Sequence, residues 1–253
     1  MTPSPELAAA LDAAEAAARV IRELYAKNLA VRLKSDKSPV TDADLRAEEA
    51  IRGVLAARFP GHAFYGEETG RHGGGDALWL VDPIDGTKAF VREYPMFSTQ
   101  IALMRDGELV LGVSYAPLYG ELAWAERGAG AWLNGRPLRV SDVDTLEAAA
   151  LSAGNLRTLA GGPGWARFGA VVARVNRIRG YGDFLHYHLL AAGKIDAVVE
   201  SDVNILDVAA LAVLVEEAGG HFTALDGAPL GLGTTTALAA NPRLHALLRA
   251  ALS

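Results

Sequence analysis

The run Leu78-Trp79-Leu80-Val81-Asp82-Pro83-Ile84-Asp85-Gly86-Thr87 constrains this chain more than any other segment. Four apolar residues in a row read as a short buried strand, and the strand delivers an Asp at its end. Pro83 restricts the backbone into a turn, a second Asp follows three residues after the first, and Gly-Thr opens a short helix. Two carboxylates on one rigid turn repel each other unless a cation lies between them. Mg²⁺ prefers carboxylate oxygens and keeps waters and a phosphate as its remaining ligands. The free N–H groups of a helix start are a natural seat for a phosphate oxygen. A plainer reading stays open at this point, because Asp-Pro and Asp-Gly are ordinary turn dipeptides and Thr87 can be a simple cap. A covalent aspartyl-phosphate mechanism does not fit, since its Asp-x-Asp-Gly-Thr pattern places the acids two apart.

Composition narrows the chemistry further. With 253 residues the chain suits one large domain or two small fused ones. Lys and Arg number 24 against 30 Asp and Glu, a formal charge of −6. An acidic chain without a basic tract is a poor binder of nucleic acid. There is no cysteine, which removes disulfides, thiolate nucleophiles and cysteine-held zinc or iron–sulfur centres. Any metal must therefore be held by oxygen or imidazole. No stretch reaches the roughly 18 uninterrupted apolar residues of a membrane span. The N-terminal apolar run is broken by Asp12 and Glu15, unlike an export signal, so a cytoplasmic protein is expected.

Periodicity sets out the remaining elements. From about Ser4 to Ala30, Leu7, Leu11, Ala14, Ala18, Ile21 and Tyr25 recur at helical spacing. The polar segment Lys34–Ser38 reads as an exposed mobile loop. A second helix starts after Thr41, with Leu45, Ile51, Val54 and Leu55 inward, and stops before Pro60. STQIALM and ELVLGVSY are joined by a hairpin at Arg105-Asp106-Gly107; ELAWA follows, and Asn134-Gly135 makes a tight turn. This is an antiparallel meander. The second half alternates strands near Leu151 and Val175, a helix Asp183–Ala192, the strand DAVVE, a helix Leu206–Ala218, a strand and turn over HFTALDG, and a last helix after Pro242. The glycine clusters Gly73–Gly75 and Gly161–Gly164 read as loops without nucleotide-binding spacing.

Three further acidic sites fall in order. Gly66-Glu67-Glu68 follows the apolar run HAFY, Thr41-Asp42-Ala43-Asp44 opens the second helix, and Asp207 lies in the first turn of a later one. Local explanations exist for two of them: Thr41 with Asp44 matches a capping box, and a helix dipole favours Asp207.

Taken in order, these pieces carry a resemblance. Ser38-Pro39-Val40-Thr41-Asp42-Ala43-Asp44, Phe59-Pro60 with Gly66-Glu67-Glu68, the Asp82–Thr87 run, Leu206-Asp207-Val208-Ala209-Ala210 and Glu217-Ala218-Gly219-Gly220 resemble the inositol monophosphatase superfamily over nearly the whole chain. The resemblance implies a layered αβαβα sugar-phosphatase sandwich. Residues 1–145 would form an α+β half with most metal ligands and residues 146–253 an α/β half with the substrate-binding residues, as one compact catalytic unit. It implies a lithium-sensitive, Mg²⁺-dependent phosphomonoesterase with two to three ions per site, a homodimer, and no covalent intermediate. Glu67, Asp82 and the Ile84 carbonyl would bind the first ion, Asp82, Asp85 and Asp207 the second, and Glu67 with waters a weaker third. Gly86 and Thr87 would bind phosphate through backbone N–H groups, and Thr87 paired with Asp44 would help deprotonate the attacking water. The loop at Lys34–Ser38 would lie near the metals.

The implied substrate is a small phosphate monoester of the inositol 1-phosphate type, with Glu200 at the position that binds a substrate hydroxyl. Glu200 reads equally as the polar end of its strand. Two related alternatives are histidinol phosphate and adenosine 3′,5′-bisphosphate. Asp183, after Gly182, resembles the histidinol-phosphatase branch, where a carboxylate would pair with the substrate ammonium; its plain reading is a helix N-cap. Lys88-Ala89-Phe90 is closer to the histidinol-phosphate and nucleotide branches, while Tyr115-Ala116-Pro117 and Gly120-Glu121-Leu122 look inositol-phosphatase-like. Leu206 and Leu211 depart from the family pattern at the pocket wall. His186 and His188, two apart on a helix, face different directions and read as core or rim. A reading from another class is a regulatory binding module associated with transcription machinery, with no direct nucleic-acid contact.

Overall fold

The computed structural model describes residues 3–27, 30–33 and 39–253; the loop expected at Lys34–Ser38 lies outside the described residues. Helix α1 (Pro5–Leu24) is started by Ser4, whose side chain accepts the Leu7 N–H at 3.0 Å, with Pro at the first position. It ends at Leu24, short of the expected Ala30, because Tyr25 turns to extended backbone. Six of its alanines are buried, and small side chains let neighbouring elements approach closely. Strands β1 (Arg32–Leu33) and β2 (Pro39–Val40) form a two-residue ladder before α2 (Asp42–Arg58).

The capping box of α2 sets which face turns inward: Ala43, Asp44, Ala47, Glu48, Ile51 and Leu55 are buried. Leu45, expected inward, is 36% exposed. Each helical step turns about 100°, so burying position 44 carries position 45 toward the rim.

An eight-stranded sheet follows, built from β3 (Ala63–Gly66), β4 (Gly70–His72), β5 (Ala77–Asp85), β6 (Ser98–Arg105), β7 (Glu108–Ala116), β8 (Glu121–Glu126), β9 (Gly130–Leu133) and β10 (Arg136–Pro137). Its order is β10-β9-β8-β7-β6-β5-β3-β4, with the short helix α3 (Thr87–Val91) after β5. The meander is antiparallel as expected, but β3 lies parallel to β5.

The second sheet uses β11 (Ala150–Gly154), β12 (Arg177–Arg179), β13 (Ala197–Ser201), β14 (His221–Thr223) and β15 (Thr236–Ala240), in the order β12-β11-β13-β15-β14. Between its strands run α4 (Arg157–Ala160), α5 (Gly164–Val172), α6 (Asp183–Ala191) and α7 (Ile205–Glu217), and α8 (Pro242–Leu252) closes the chain. The glycines at 161–164 do not form a plain loop. They separate α4 from α5, which starts at Gly164 and turns Phe168 and Val171 inward. Glycine is a poor helix former, which masked the pattern.

Packing stacks five layers: α1 and α2, the eight-stranded sheet, α6 and α7, the five-stranded sheet, then α4, α5 and α8. Apart from Asp207 in its first turn and Glu216 and Glu217 at its end, helix α7 is apolar on every side, as a helix between two sheets must be, with Ile205, Leu206 and Val208 through Val215 all buried. Gly112 of β7 lies against the Ala210 backbone so closely that a Cβ there would overlap it. Among the described residues, no helix is long and apolar enough to cross a membrane.

Candidate active site

Both sheets aim the carboxyl ends of a parallel strand pair at one cleft, the usual place for ligands in such sheets. In the larger sheet Gly66 sits opposite Val81, so Glu67 and Asp82 leave side by side. The Glu67 N–H donates to the Val81 carbonyl at 3.1 Å. In the smaller sheet Gly154 pairs with Glu200.

The turn expected at Pro83 is a β-bulge. Asp82 pairs with Gln100 and Asp85 with Ser98, so Pro83 and Ile84 together oppose Thr99, whose hydroxyl donates to the Pro83 carbonyl at 2.9 Å. Residues three apart on a regular strand point to opposite faces. The extra residue bends the strand and turns Asp85 to the side of Asp82.

Asp207 comes from the far side of the cleft, at the first turn of α7. Its carboxylate accepts the Asn204 N–H at 2.8 Å and the Asn204 side-chain amide at 2.7 Å. Beyond the favourable helix dipole expected for it, Asp207 closes a capping box with Asn204, which orients the carboxylate without occupying it fully. One oxygen from each of Asp82, Asp85 and Asp207 lies within 4.8 Å of the others.

Their electrostatics follow. Asp82 is pushed well above the usual carboxylate range by burial first, then by the charges of Glu67, Asp85 and Asp207 and a hydrogen bond with Glu67. Asp85 is raised likewise by burial, then by Asp183, Asp207, Glu200 and Glu67. Asp207 is pushed up to about 7, by burial above all, with the Asn204 backbone hydrogen bond opposing and the charges of Glu67 and Glu200 adding. A buried set of mutually repelling oxygens, with no sulfur or imidazole in it, fits a hard divalent cation.

Gly86 caps α3 at φ 94°, and a Cβ there would stand 2.5 Å from the Met96 carbonyl oxygen, so only glycine fits. The first N–H groups of α3 have no acceptor within their own helix. Thr87 Oγ1 lies 3.1 Å from both Asp44 Oδ1 and the Ile84 carbonyl oxygen. Asp44 is fully buried, and its Oδ2 accepts the Thr41 N–H at 2.8 Å and the Thr41 hydroxyl at 2.7 Å. Burial raises its carboxyl, and the bonds from Thr41 and Thr87 pull it back. Asp44 therefore caps its helix with one oxygen and holds Thr87 with the other.

The cleft encloses about 380 Å³ and is lined by Glu67, Asp82, Ile84, Asp85, Gly86, Thr87, Asp183 and Asp207. Asp44 stands behind Thr87. Asp183 is not an N-cap: Gly182 takes that position, no side chain caps α6, and Asp183 itself sits at φ 44° on the cleft wall. Burial, then Glu200, raises its carboxyl, opposed by His186 and Lys88. Glu200 is 2% exposed at the end of β13. It accepts the Tyr187 hydroxyl at 2.9 Å and the Asn155 amide at 3.2 Å, and lies 3.1 Å from His186 Nε2. It borders a cavity of about 20 Å³ next to Asp85, Asp183 and Asp207.

The family model described as "Inositol monophosphatase family" matches residues 3–253. The chain belongs to the inositol monophosphatase family. It is 40% identical to a histidinol-phosphatase of Streptomyces coelicolor, covering 92% of this chain and 90% of that protein. It is 37% identical to an inositol-1-monophosphatase of Caulobacter vibrioides, covering 85% and 88%. The structure of the extragenic suppressor protein suhB from Bartonella henselae superposes with a TM-score of 0.91 at 34% identity over 99% of each chain. As a member of this metal-dependent family, the protein is an enzyme, a phosphoric monoester hydrolase.

This inositol monophosphatase family member also lines its cleft with residues not anticipated from sequence, among them Arg92, Tyr94, Asn155, Asp202 and Asn204. Asn155 and Asp202 have φ of 43° and 59°. A short polar residue after an apolar strand tolerates that left-handed region, the one local signal that marks them. His186 and His188 do face apart. His186 points to Ser152 and Glu200, while His188 Nδ1 meets Glu121 and Nε2 meets Ser114, each at 2.9 Å.

Proposed function

We propose that this enzyme is a Mg²⁺-dependent phosphomonoesterase with two to three ions per site, acting on a small phosphate ester that carries an amine, with histidinol phosphate ahead of inositol 1-phosphate. When bound, hard divalent cations neutralise the phosphate charge and make water acidic enough to attack at neutral pH. Glu67, Asp82 and the Ile84 carbonyl would hold one ion, and Asp82, Asp85 and Asp207 the next. The N–H groups of Gly86 and Thr87 hold the phosphate oxygens. Thr87 Oγ1 takes a proton from the attacking water as its own hydroxyl proton passes to Asp44 Oδ1, the final acceptor, whose raised carboxyl favours holding it.

The observation behind the substrate preference is Asp183, a carboxylate on the cleft wall that caps nothing. With Glu200 beside it, and only Lys88 and His186 opposing, it places negative charge on that wall, which attracts an ammonium more than a neutral polyol. The name of the Streptomyces coelicolor relative agrees with this reading. The neutral-polyol ester of the first reading remains the second choice, supported by the Caulobacter vibrioides relative.

The test is a kcat/KM panel over histidinol phosphate, inositol 1-phosphate, adenosine 3′,5′-bisphosphate and fructose 1,6-bisphosphate, with and without Li⁺. Histidinol phosphate should lead by roughly tenfold or more, and Asp183→Asn should shrink that lead. A lead for inositol 1-phosphate that Asp183→Asn leaves unaltered overturns the preference. Activity of Asp82→Asn in excess EDTA overturns the metal-dependent reading altogether. A cytoplasmic homodimer completes the proposal; light scattering at about the mass of one 26.6 kDa chain refutes the dimer.

A further inference from the structure

Helix α2 carries two fully buried carboxylates one turn apart, Asp44 and Glu48. Asp44 reaches Thr87. Glu48 has no part in the reaction described above, yet burying a carboxylate is costly unless its oxygens are well satisfied. Its Oε2 accepts the Glu68 N–H at 2.8 Å, and its Oε1 accepts the Thr69 N–H at 3.0 Å and the Thr69 hydroxyl at 2.5 Å. These donors belong to the two residues that directly follow Glu67. On the other side, the Glu67 N–H is held by the Val81 carbonyl at 3.1 Å. The backbone that carries Glu67 is thus fixed from both directions.

Gly66 strengthens the point. A Cβ built on Gly66 would overlap the Glu48 carboxyl, so the carboxylate lies directly under the strand end, and a side chain there would push it off its Glu68 and Thr69 donors. The same helix therefore grips both turns of the site, one through Asp44 and one through Glu48. We propose that Glu48 is a positioning residue that sets the Glu67 carboxylate at its distance from Asp82, and so tunes cation affinity. The proposal rests on the reading of Glu67 as a metal-holding carboxylate.

The isosteric change Glu48→Gln separates positioning from bulk packing. The amide oxygen can keep the two Thr69 donors, but the NH₂ group then faces the Glu68 N–H, donor against donor. The turn at 67–68 must give way while the helix volume is unchanged. Groups that orient metal ligands typically change affinity by about 10–100-fold when altered.

The experiment titrates Mn²⁺ into the full-length wild type, Glu48→Gln, Thr69→Val, Glu67→Gln and the exposed control Glu49→Gln, with binding read by calorimetry and folding by circular dichroism. Glu48→Gln should weaken at least one Mn²⁺ site by roughly tenfold or more. It should also move half-activation to higher Mg²⁺, with kcat largely recovered at saturating Mg²⁺. Thr69→Val, which removes only one of the three bonds to Glu48, should shift both in the same direction by less. Glu49→Gln should match wild type. Wild-type Mn²⁺ affinity in a folded Glu48→Gln, with Glu67→Gln weakened, overturns the positioning role alone. If Glu48→Gln does not fold, wild-type affinity in Thr69→Val does so. Wild-type affinity in Glu67→Gln overturns the reading of Glu67, and the proposal with it.

Discussion

Replacing Asp207 by Asn should stabilise the metal-free protein at alkaline pH while removing part of its response to Mg²⁺. The folded protein raises this carboxyl from 3.8 to about 7, with burial the largest cause. An acid whose folded value lies above its unfolded value favours the neutral form on folding. It therefore costs nothing well below 3.8, and its cost grows from there up to about 7 and is complete above that. At about 1.4 kcal/mol per tenfold change in proton affinity, the full cost is roughly 4 kcal/mol, of which close to 3 accrues between pH 5 and pH 8. Sharing of charge with Asp82 and Asp85 reduces what one substitution recovers, to an order of 2 kcal/mol over that interval. The substitution also loses the Asn204 amide bond to Oδ1, a cost of about 1 kcal/mol that does not depend on pH. The pH dependence therefore isolates the charge from the cap. Urea denaturation in EDTA at pH 5 and pH 8 measures it. The stability of Asp207→Asn relative to wild type should rise by about 2 kcal/mol between the two, and Mg²⁺ should stabilise wild type more than the variant. A difference that stays constant with pH refutes the reasoning, because the carboxyl would then carry no burden of unpaired charge.

Other outcomes follow from the same geometry. Asp44→Asn keeps the shape but not the proton acceptor behind Thr87, so kcat should fall by about 10²–10⁴ with Mn²⁺ binding near wild type; steady-state kinetics with calorimetry checks both. Gly86→Ala meets a positive φ and the Met96 carbonyl, and should lose about 2 kcal/mol or more by thermal melting along with most activity. Gly112→Ala wedges β7 from the Ala210 backbone and should cost about 1–3 kcal/mol or prevent folding, seen in soluble yield and melting. His245 is held neutral down to about 4 by burial first, then by His221 and Arg249. Its folded value lies below the unfolded 6.5, so its contribution is present above 6.5 and is lost as pH falls toward 4. About 2 kcal/mol of acid sensitivity should be missing from His245→Asn in urea titrations at pH 7 and pH 4.5.

Much of the site was legible because its signals are local. Asp82 and Asp85 stand in a short apolar-then-acidic run, and Thr41 and Asp44 announce a helix start within four residues. The turn expected at Pro83 was a bulge because proline marks a break in regular pairing without saying which kind; the partner strand decides. Leu45 failed because hydrophobicity alone placed it inward, whereas the satisfied carboxylates of Asp44 and Glu48 occupy that face. Helix α5 was hidden by its glycines. Asn155 and Asp202 carry no periodic signal, and only their left-handed backbone at the ends of β11 and β13 brings them to the cleft.

By itself the sequence determined the chemistry: no thiolate ligands, an acidic surplus that calls for cations, and the order of most helices and strands. Spacing and side-chain type are properties of a few neighbouring residues, so they survive without a fold. What only the tertiary structure decided was convergence. Glu67, Asp82 and Asp207 meet because β3 lies parallel to β5 and because α7 is buried between two sheets with its first turn at their carboxyl ends. The burial that drives α7 into that layer is non-directional. Its place was set by the close fit of Gly112 to Ala210 and by the sheets around it, which no local pattern encodes. The same packing put Asp183 on the cleft wall instead of on its helix cap, and turned Glu48 into the support beneath Glu67.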